Sequence, residues 1–314
     1  MSGANPRVLL VHGFLGTPHD WEPMREALAA AGIADAVSVD LLGCASAPEC
    51  MSELERASHL DPAALHDADC TGPVPAGGRE HADSMGSIPR GARAGEGLER
   101  DGLDALAASL ASCIGSRAVR EREGRPVVLC GYSLGGRVCL ALAAGAPVPM
   151  HCIVIGADPG IEDLRERSLR AGRDHAHATH LRQDPEGFLG SWYAQPLFAS
   201  LRASPSFDAV VARRRASLAD PATRERWARI LEACSPGRCA PRWGDAARLG
   251  HRLAVMHGAL DDKFAAIARR IHGRAPQVPT IPILGAGHAA HVEQPQACAA
   301  AVASIVAASA PFQQ

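Results

Sequence analysis

The sequence predicts an α/β fold: a mostly parallel sheet with helices on both faces and a helical cap. Three observations lead there. Short apolar runs alternate with segments of helical spacing, and the runs have no polar side, as strands buried on both faces require. Residues 160–250 break the alternation, being Arg-rich, helix-forming and without a clear strand. Turn-forming residues follow directly on several strands, at the sheet edge where ligands bind in such folds.

Arg7–Val11 (RVLLV) is the first strand. Residues 19–31 follow as a helix, with Trp21, Met24, Leu28 and Ala31 on one face and Gly32 as the stop. Ala36–Leu41 is a second strand. From 44 to about 100 periodicity is lost and Gly, Pro, Ala, Ser and His dominate. That stretch is expected to be an inserted, flexible surface segment, with a short helix near 51–60 and turns such as Gly72-Pro73. Residues 101–118 regain a helical period. Pro126–Cys130 (PVVLC) is a strand that runs into Gly131-Tyr132-Ser133-Leu134-Gly135-Gly136 and then a helix to about Ala144. Cys152–Ile155 is a strand ending at Gly156-Ala157-Asp158, Leu253–His257 and Thr280–Leu284 are two more, and 292–309 is a closing helix. The expected organisation is a core in two parts, 1–158 and 251–314, with 159–250 as a cap over the carboxyl ends of the strands.

A chain of 314 residues, 47% hydrophobic, can bury one large core. A net charge of -2 gives no sequence-independent reason to bind nucleic acid or an anionic membrane, and no apolar run reaches the length of a membrane span. The run Val8–Val11 is too short for a signal-peptide core, so a cytoplasmic protein is expected. The ten cysteines form no CxxC pair, and Cys130, Cys139 and Cys152 lie in apolar segments where a thiol acts as a small hydrophobe; reduced thiols fit the cytosol. Cys234-x4-Cys239 lacks a second close pair, and His175, His177 and His180 read as helix-surface residues, so no metal is expected. Lys263 is the single lysine, which argues against Schiff-base chemistry.

Gly131-x-Ser133-x-Gly135, set between an apolar strand and a helix, carries the chemistry. A sharp strand-to-helix turn needs small residues on either side of its centre, and it lifts the central serine above the sheet beside the helix N-terminus. A serine hydroxyl needs a histidine as base, and the histidine needs an acid to orient it. In chain order these are expected after the last strands. Asp261 follows Leu253–Gly258, with Asp262 as its competitor and Asp158 as an outside candidate. His288 follows Thr280–Leu284, with His291 as its rival. The loop His12-Gly13-Phe14-Leu15-Gly16 after the first strand supplies a second backbone N–H, so the oxyanion hole is assigned to the N–H groups of Phe14 and Leu134. Arg137, one helical turn past Ser133, can face the same pocket and hold a carboxylate through paired hydrogen bonds. Spacing alone does not choose among Arg165, Arg167, Arg170 and Arg173, or among Arg213, Arg214 and Arg215.

The segments HGFLG (12–16), GYSLGGRV (131–138), WYAQPLFASL (192–201), LDDKF (260–264) and GAGHAAHVEQP (285–295) together resemble the 2-succinyl-6-hydroxy-2,4-cyclohexadiene-1-carboxylate synthase family of menaquinone biosynthesis, which has the α/β-hydrolase fold. GYSLGG is widespread among α/β-hydrolases; the cap segment WYAQPLFASL is the more specific match. The resemblance covers 7–43 and about 100–310. It implies a cofactor-free lyase that eliminates pyruvate from a small polycarboxylate, with Ser133, Asp261 and His288 as its triad. It favours Asp261 over Asp262 through the adjoining Lys263-Phe264. It also implies Arg137, Arg170 and Arg213 as carboxylate ligands and Tyr132 and Trp192 as pocket aromatics. The chain departs from the family at Leu15, where serine is usual, and at DLLGCA (40–45), where the family reads DLPGHG. A serine hydrolase, acting on esters or carbon–carbon bonds with the same triad, is the rival reading.

Overall fold

The computed structural model describes residues 6–59, 101–120 and 127–308. Six strands form one parallel sheet in the order β2-β1-β3-β4-β5-β6. They are β1 (Arg7–Val11), β2 (Ala36–Val39), β3 (Val127–Tyr132), β4 (His151–Ile155), β5 (Leu253–Gly258) and β6 (Thr280–Ile283). Register is continuous across the centre: Val11 lies opposite Gly131, and Tyr132 opposite Ile155. That alignment brings the ends of β1, β3 and β4 to one edge.

The inner strands are largely apolar because successive side chains feed two different cores, whereas the edge strands β2 and β6 are only partly buried. Val8, Leu10, Cys130, Ile153, Ile155 and Met256 pack on one face against Trp21 in the turn just before α1 (Glu22–Ala30), Met24 and Leu28 of α1, and Cys298 and Val302 of α14 (Pro295–Ala308). Leu9, Val11, Leu129, Val154 and Val255 pack on the other face. There they meet α2 (Leu41–Ala45), α3 (Pro48–His59), α4 (Gly102–Arg120) and α5 (Leu134–Gly145). Between β4 and β5 come α6 (Leu164–Gln183), α7 (Pro185–Ala194), α8 (Ala199–Arg202), α9 (Phe207–Leu218), α10 (Pro221–Ala233) and α11 (Trp243–Leu249). After β5 come α12 (Asp262–Arg274) and α13 (Ala290–Glu293). No described helix is long and apolar enough to cross a membrane.

Several elements differ from the reading of the sequence. The expected helix 19–31 begins as a 3-10 turn at Pro18–Trp21, and Ala31 is exposed rather than on the buried face. The short helix expected near 51–60 is α3, which starts earlier, at Pro48; the residues before it, expected to lack structure from 44, continue α2 to Ala45, and Cys44, Ala45, Cys50, Leu54 and Ala57 enter the core. Cys50, Leu54 and Ala57 have helical spacing, but small, weakly apolar residues carry it, so composition obscured that this helix packs into the core and is not a surface segment. The rest of the expected insertion, with Gly72-Pro73 and Cys70, lies outside the described residues, as do Pro126 and residue 309 of the closing helix. That closing helix is two helices, restarted at Pro295, a residue suited to a first helical turn.

Candidate active site

Ser133 sits at the junction of β3 and α5, in a left-handed backbone conformation with φ 51°. The glycines around it make that turn possible. A Cβ on Gly131 would stand 2.4 Å from the Gly135 carbonyl oxygen, and one on Gly135 would stand 2.4 Å from the carbonyl oxygens of Val11 and His12. The Ser133 N–H donates to the Ile155 carbonyl at 2.9 Å, which pins the turn to β4. Leu134 opens α5, so its N–H has no acceptor within the helix.

Asp261 caps α12, and its two oxygens have separate tasks. Oδ1 accepts from the Phe264 N–H at 3.1 Å, and Oδ2 lies 3.0 Å from His288 Nδ1. Both side chains are 3% exposed, so water does not compete for this bond. Asp262 points away as the exposed first residue of α12, and Asp158 spends an oxygen on the Gly160 N–H at 2.8 Å. Ser133 and His288 line one cavity of about 290 Å³, room for a small molecule.

The loop before α1 is held by His12, which is fully buried. Its Nδ1 lies 3.0 Å from the Gly13 carbonyl, and its Nε2 accepts from the Leu41 N–H at 3.0 Å. The DLLGCA departure therefore supplies the first turn of α2, which anchors this loop. Phe14 lines the cavity. Leu15 does not; its φ of 58° turns the side chain into the core, where it is 1% exposed. A left-handed leucine costs about 1–2 kcal/mol, offset here by burial.

The aromatics expected at the pocket are there. Trp192 stacks on Phe188 (centroids 5.5 Å) and meets Phe14 edge-on (5.1 Å). The Tyr132 ring lies 5.2 Å from His288 and 4.3 Å from His291, and burial pushes its hydroxyl well above the usual tyrosine range. His291, the rival of His288, also lines the cavity but packs between Trp21 and Tyr132. Its Nδ1 is buried without a hydrogen bond, and burial pulls its pKa down to about 3.

The arginines separate by helix phase. Arg137 lines the cavity, and its Nη1 donates to the Cys234 carbonyl at 2.6 Å. Arg170 lines it too, with Nε on Asp174 Oδ2 at 2.8 Å. Arg213, expected as a third ligand, is not at the cavity; its neighbour Arg214 is, because one residue along a helix turns the side chain by about 100°. Arg214 is 6% exposed and bonds Asp20 through Nη1 (3.1 Å) and Nη2 (2.5 Å), while Arg213 reaches Asp20 from outside at 3.2 Å. Burial alone would raise the Asp20 carboxyl, but Arg214 outweighs it and holds the group below the carboxylate range. Asp20 was missed, although Thr17-x-x-Asp20 is a capping pattern; the Thr17 N–H donates to its Oδ2 at 2.9 Å. The cap histidines go to separate partners: His175 to Glu232 (2.8 Å), His177 to the Trp192 ring (5.5 Å) and His180 to Asp184 (3.9 Å). Cys234 and Cys239 are buried free thiols, and no described cluster has the makings of a metal site.

Residues 8–301 match the Alpha/beta hydrolase family. Among curated proteins, 2-succinyl-6-hydroxy-2,4-cyclohexadiene-1-carboxylate synthase of Enterobacter sp. (strain 638) is 34% identical over 180 residues, 57% of this chain and 66% of that protein. The protein of the same name from Klebsiella pneumoniae subsp. pneumoniae is 33% identical over 57% of this chain and 68% of its own length. The alignments thus span about two thirds of these relatives (66% and 68%). Among solved structures, MenH from S. aureus superposes with a TM-score of 0.67 at 19% identity, covering 97% of this chain and 94% of that one. A thermophilic esterase from Thermogutta terrifontis gives 0.57 at 20% identity, over 98% of this chain and 91% of its own. At such identities these two structures speak for the fold alone. The chain belongs to the alpha/beta hydrolase family and, within it, to the family of 2-succinyl-6-hydroxy-2,4-cyclohexadiene-1-carboxylate synthase.

Proposed function

We propose that this protein eliminates pyruvate from 2-succinyl-5-enolpyruvyl-6-hydroxy-3-cyclohexene-1-carboxylate, giving 2-succinyl-6-hydroxy-2,4-cyclohexadiene-1-carboxylate in menaquinone biosynthesis. The observation that carries this reading is the buried Asp261–His288 bond of 3.0 Å at a cavity shared with the strained Ser133 and walled by arginines. The family relationship supplies the reaction class.

His288 accepts the Ser133 proton through Nε2, while Asp261 holds the proton on Nδ1. The serine oxygen then takes the proton beside the succinyl carbonyl. Electrons from that C–H bond pass first into an enolate, whose oxygen is held by the N–H groups of Phe14 and Leu134. They return to form the ring diene as the C–O bond to the enolpyruvyl group breaks. The leaving enolate takes up a proton and becomes pyruvate, so no acyl-enzyme forms and no water is consumed. Arg137, Arg170 and Arg214 give the cavity the positive wall that a polycarboxylate requires, with Tyr132 and Trp192 enclosing the ring. Reduced thiols, as in the nine free described cysteines, support a cytoplasmic location.

The test is pyruvate release from the enolpyruvyl substrate, with p-nitrophenyl acetate run in parallel. Stoichiometric pyruvate release is expected. Ester turnover without pyruvate overturns the proposal in favour of a serine hydrolase. A Ser133 inert to a serine-directed phosphonate, with neither activity, overturns it in favour of a binding protein.

A further inference from the structure

Every arginine named above as a carboxylate ligand already has an acceptor inside the protein. Arg137 serves the Cys234 carbonyl, Arg170 serves Asp174, and Arg213 and Arg214 share Asp20. Two other cations line the same cavity, Lys263 and Arg173, and among the described residues neither forms an ion pair. A cation that lines a cavity without an internal partner keeps its full charge for a ligand.

Lys263 is the second residue of α12, directly after the cap formed by Asp261. Its Nζ stands 5.1 Å from the centre of the Phe264 ring, and that ring lies 4.6 Å from His288. The ammonium is thus one aromatic ring away from the imidazole, on the side of the cavity facing α6. Arg170 and Arg173 approach from α6, and the charges that act on Lys263 are these two together with Asp158 and Asp261. Partial burial, and then Arg170, lower the Lys263 pKa, as is expected of an ammonium in a positive field. Of the neighbouring carboxylates, Asp261 is committed to His288, and Asp174 is committed to Arg170 and to the Ser235 hydroxyl (2.6 Å). Asp158 also lines this side, with one oxygen on the Gly160 N–H at 2.8 Å, so Lys263 and Arg173 are the cations here that no described carboxylate pairs.

We propose that Lys263 and Arg173 together bind one carboxylate of the substrate on the α6 side of the cavity, whereas the internally paired Arg137, Arg170 and Arg214 mainly shape the cavity wall. This assignment rests on the function proposed above and names the residues that receive one of the substrate's anionic ends. Such a contact is made equally in the bound substrate and in the transition state, so its loss raises KM more than it lowers kcat.

Lys263 is the single lysine of the chain, which makes the test clean. Lys263→Met and Arg173→Met are each expected to raise KM for the enolpyruvyl substrate at least tenfold with less than a threefold change in kcat. Lys263→Arg is expected to restore KM to within threefold. In parallel, Ser133→Ala protein is acetylated with an N-hydroxysuccinimide ester, and the Lys263 peptide is followed by mass spectrometry. Saturating substrate is expected to slow that acetylation at least fivefold. Pyruvate release by the unmodified enzyme with unchanged KM in both Met variants, or with unprotected Lys263, overturns the assignment alone. Absence of pyruvate release from the unmodified enzyme overturns the proposed function and this assignment with it.

Discussion

At the sheet edge the groups are fixed by backbone; in the cap they are fixed by charge. Ser133 is held by a turn that two glycines permit and one strand hydrogen bond pins, and His288 by a carboxylate that is itself a helix cap. Across the cavity, buried Arg214 and Asp20, with the partly exposed Arg213, form a charged cluster between α9 and the turn before α1. A few glycines and one capping aspartate place the Ser133 and His288 side chains within a narrow range, because the main chain has few soft dihedrals. Long arginines reach their places only because a partner is waiting, so the cap wall depends on every member of its ion pairs.

The comparison can be broken by removing charge from each side. Asp261→Asn keeps an acceptor for the Phe264 N–H but presents the wrong group to His288. The expected result is a ~10³–10⁴-fold loss in kcat with less than about 1 kcal/mol change in stability, read by pyruvate release and by denaturant midpoint. Asp20→Asn should do the reverse at first order. It strands the buried Arg214, so unfolding free energy should fall by about 3 kcal/mol in urea. The exposed pair Arg215–Glu186 is the control, since Arg215→Ala should cost under ~1 kcal/mol. An Asp20→Asn protein as stable as the parent would show that the cap is not held by charge.

The smallest effect sharpens the sheet-edge half. The pKa of His291 is lowered to about 3 and that of His151 to about 4, in both cases first by burial. Both lie below the ordinary histidine value of 6.5. Below that value the unfolded chain takes up protons that the folded chain refuses, so stability is fully present above it and falls as pH drops. Between pH 6 and 4.5 each group should remove about 1 kcal/mol per pH unit, and His291→Gln should remove about half of the slope. A pH-independent unfolding free energy over that window contradicts the burial of these imidazoles.

This division also explains what could be read from the sequence. That Ser133 and His288 line one cavity and that Asp261 bonds His288 was legible because strand ends, glycine spacing and a family resemblance at 260–264 mark those positions. The inner strands were legible because parallel strands buried on both faces are largely apolar. Helix α3 was legible as a short helix near 51–60, but its start at Pro48 and its burial were not, since Cys50 and Ala57 carry its buried face with little hydrophobic contrast. Nor was the choice of Arg214 over Arg213, which depends on the rotation of α9 about its axis, a tertiary fact that a run of three arginines does not encode. Asp20 and Arg214 are 193 and 194 positions from their partners Arg213 and Asp20, and no local pattern links them. Leu15 departs from the family's usual serine, and its left-handed backbone sends it to the core.

The most direct test of the central claim is kcat/KM for pyruvate release from the enolpyruvyl substrate by Ser133→Ala and His288→Ala, each checked for native circular dichroism. A loss of at least ~10³-fold in both, with the double variant no worse than about tenfold below either, is the predicted result for groups acting as one unit. Near-parental pyruvate release from either folded variant would contradict it.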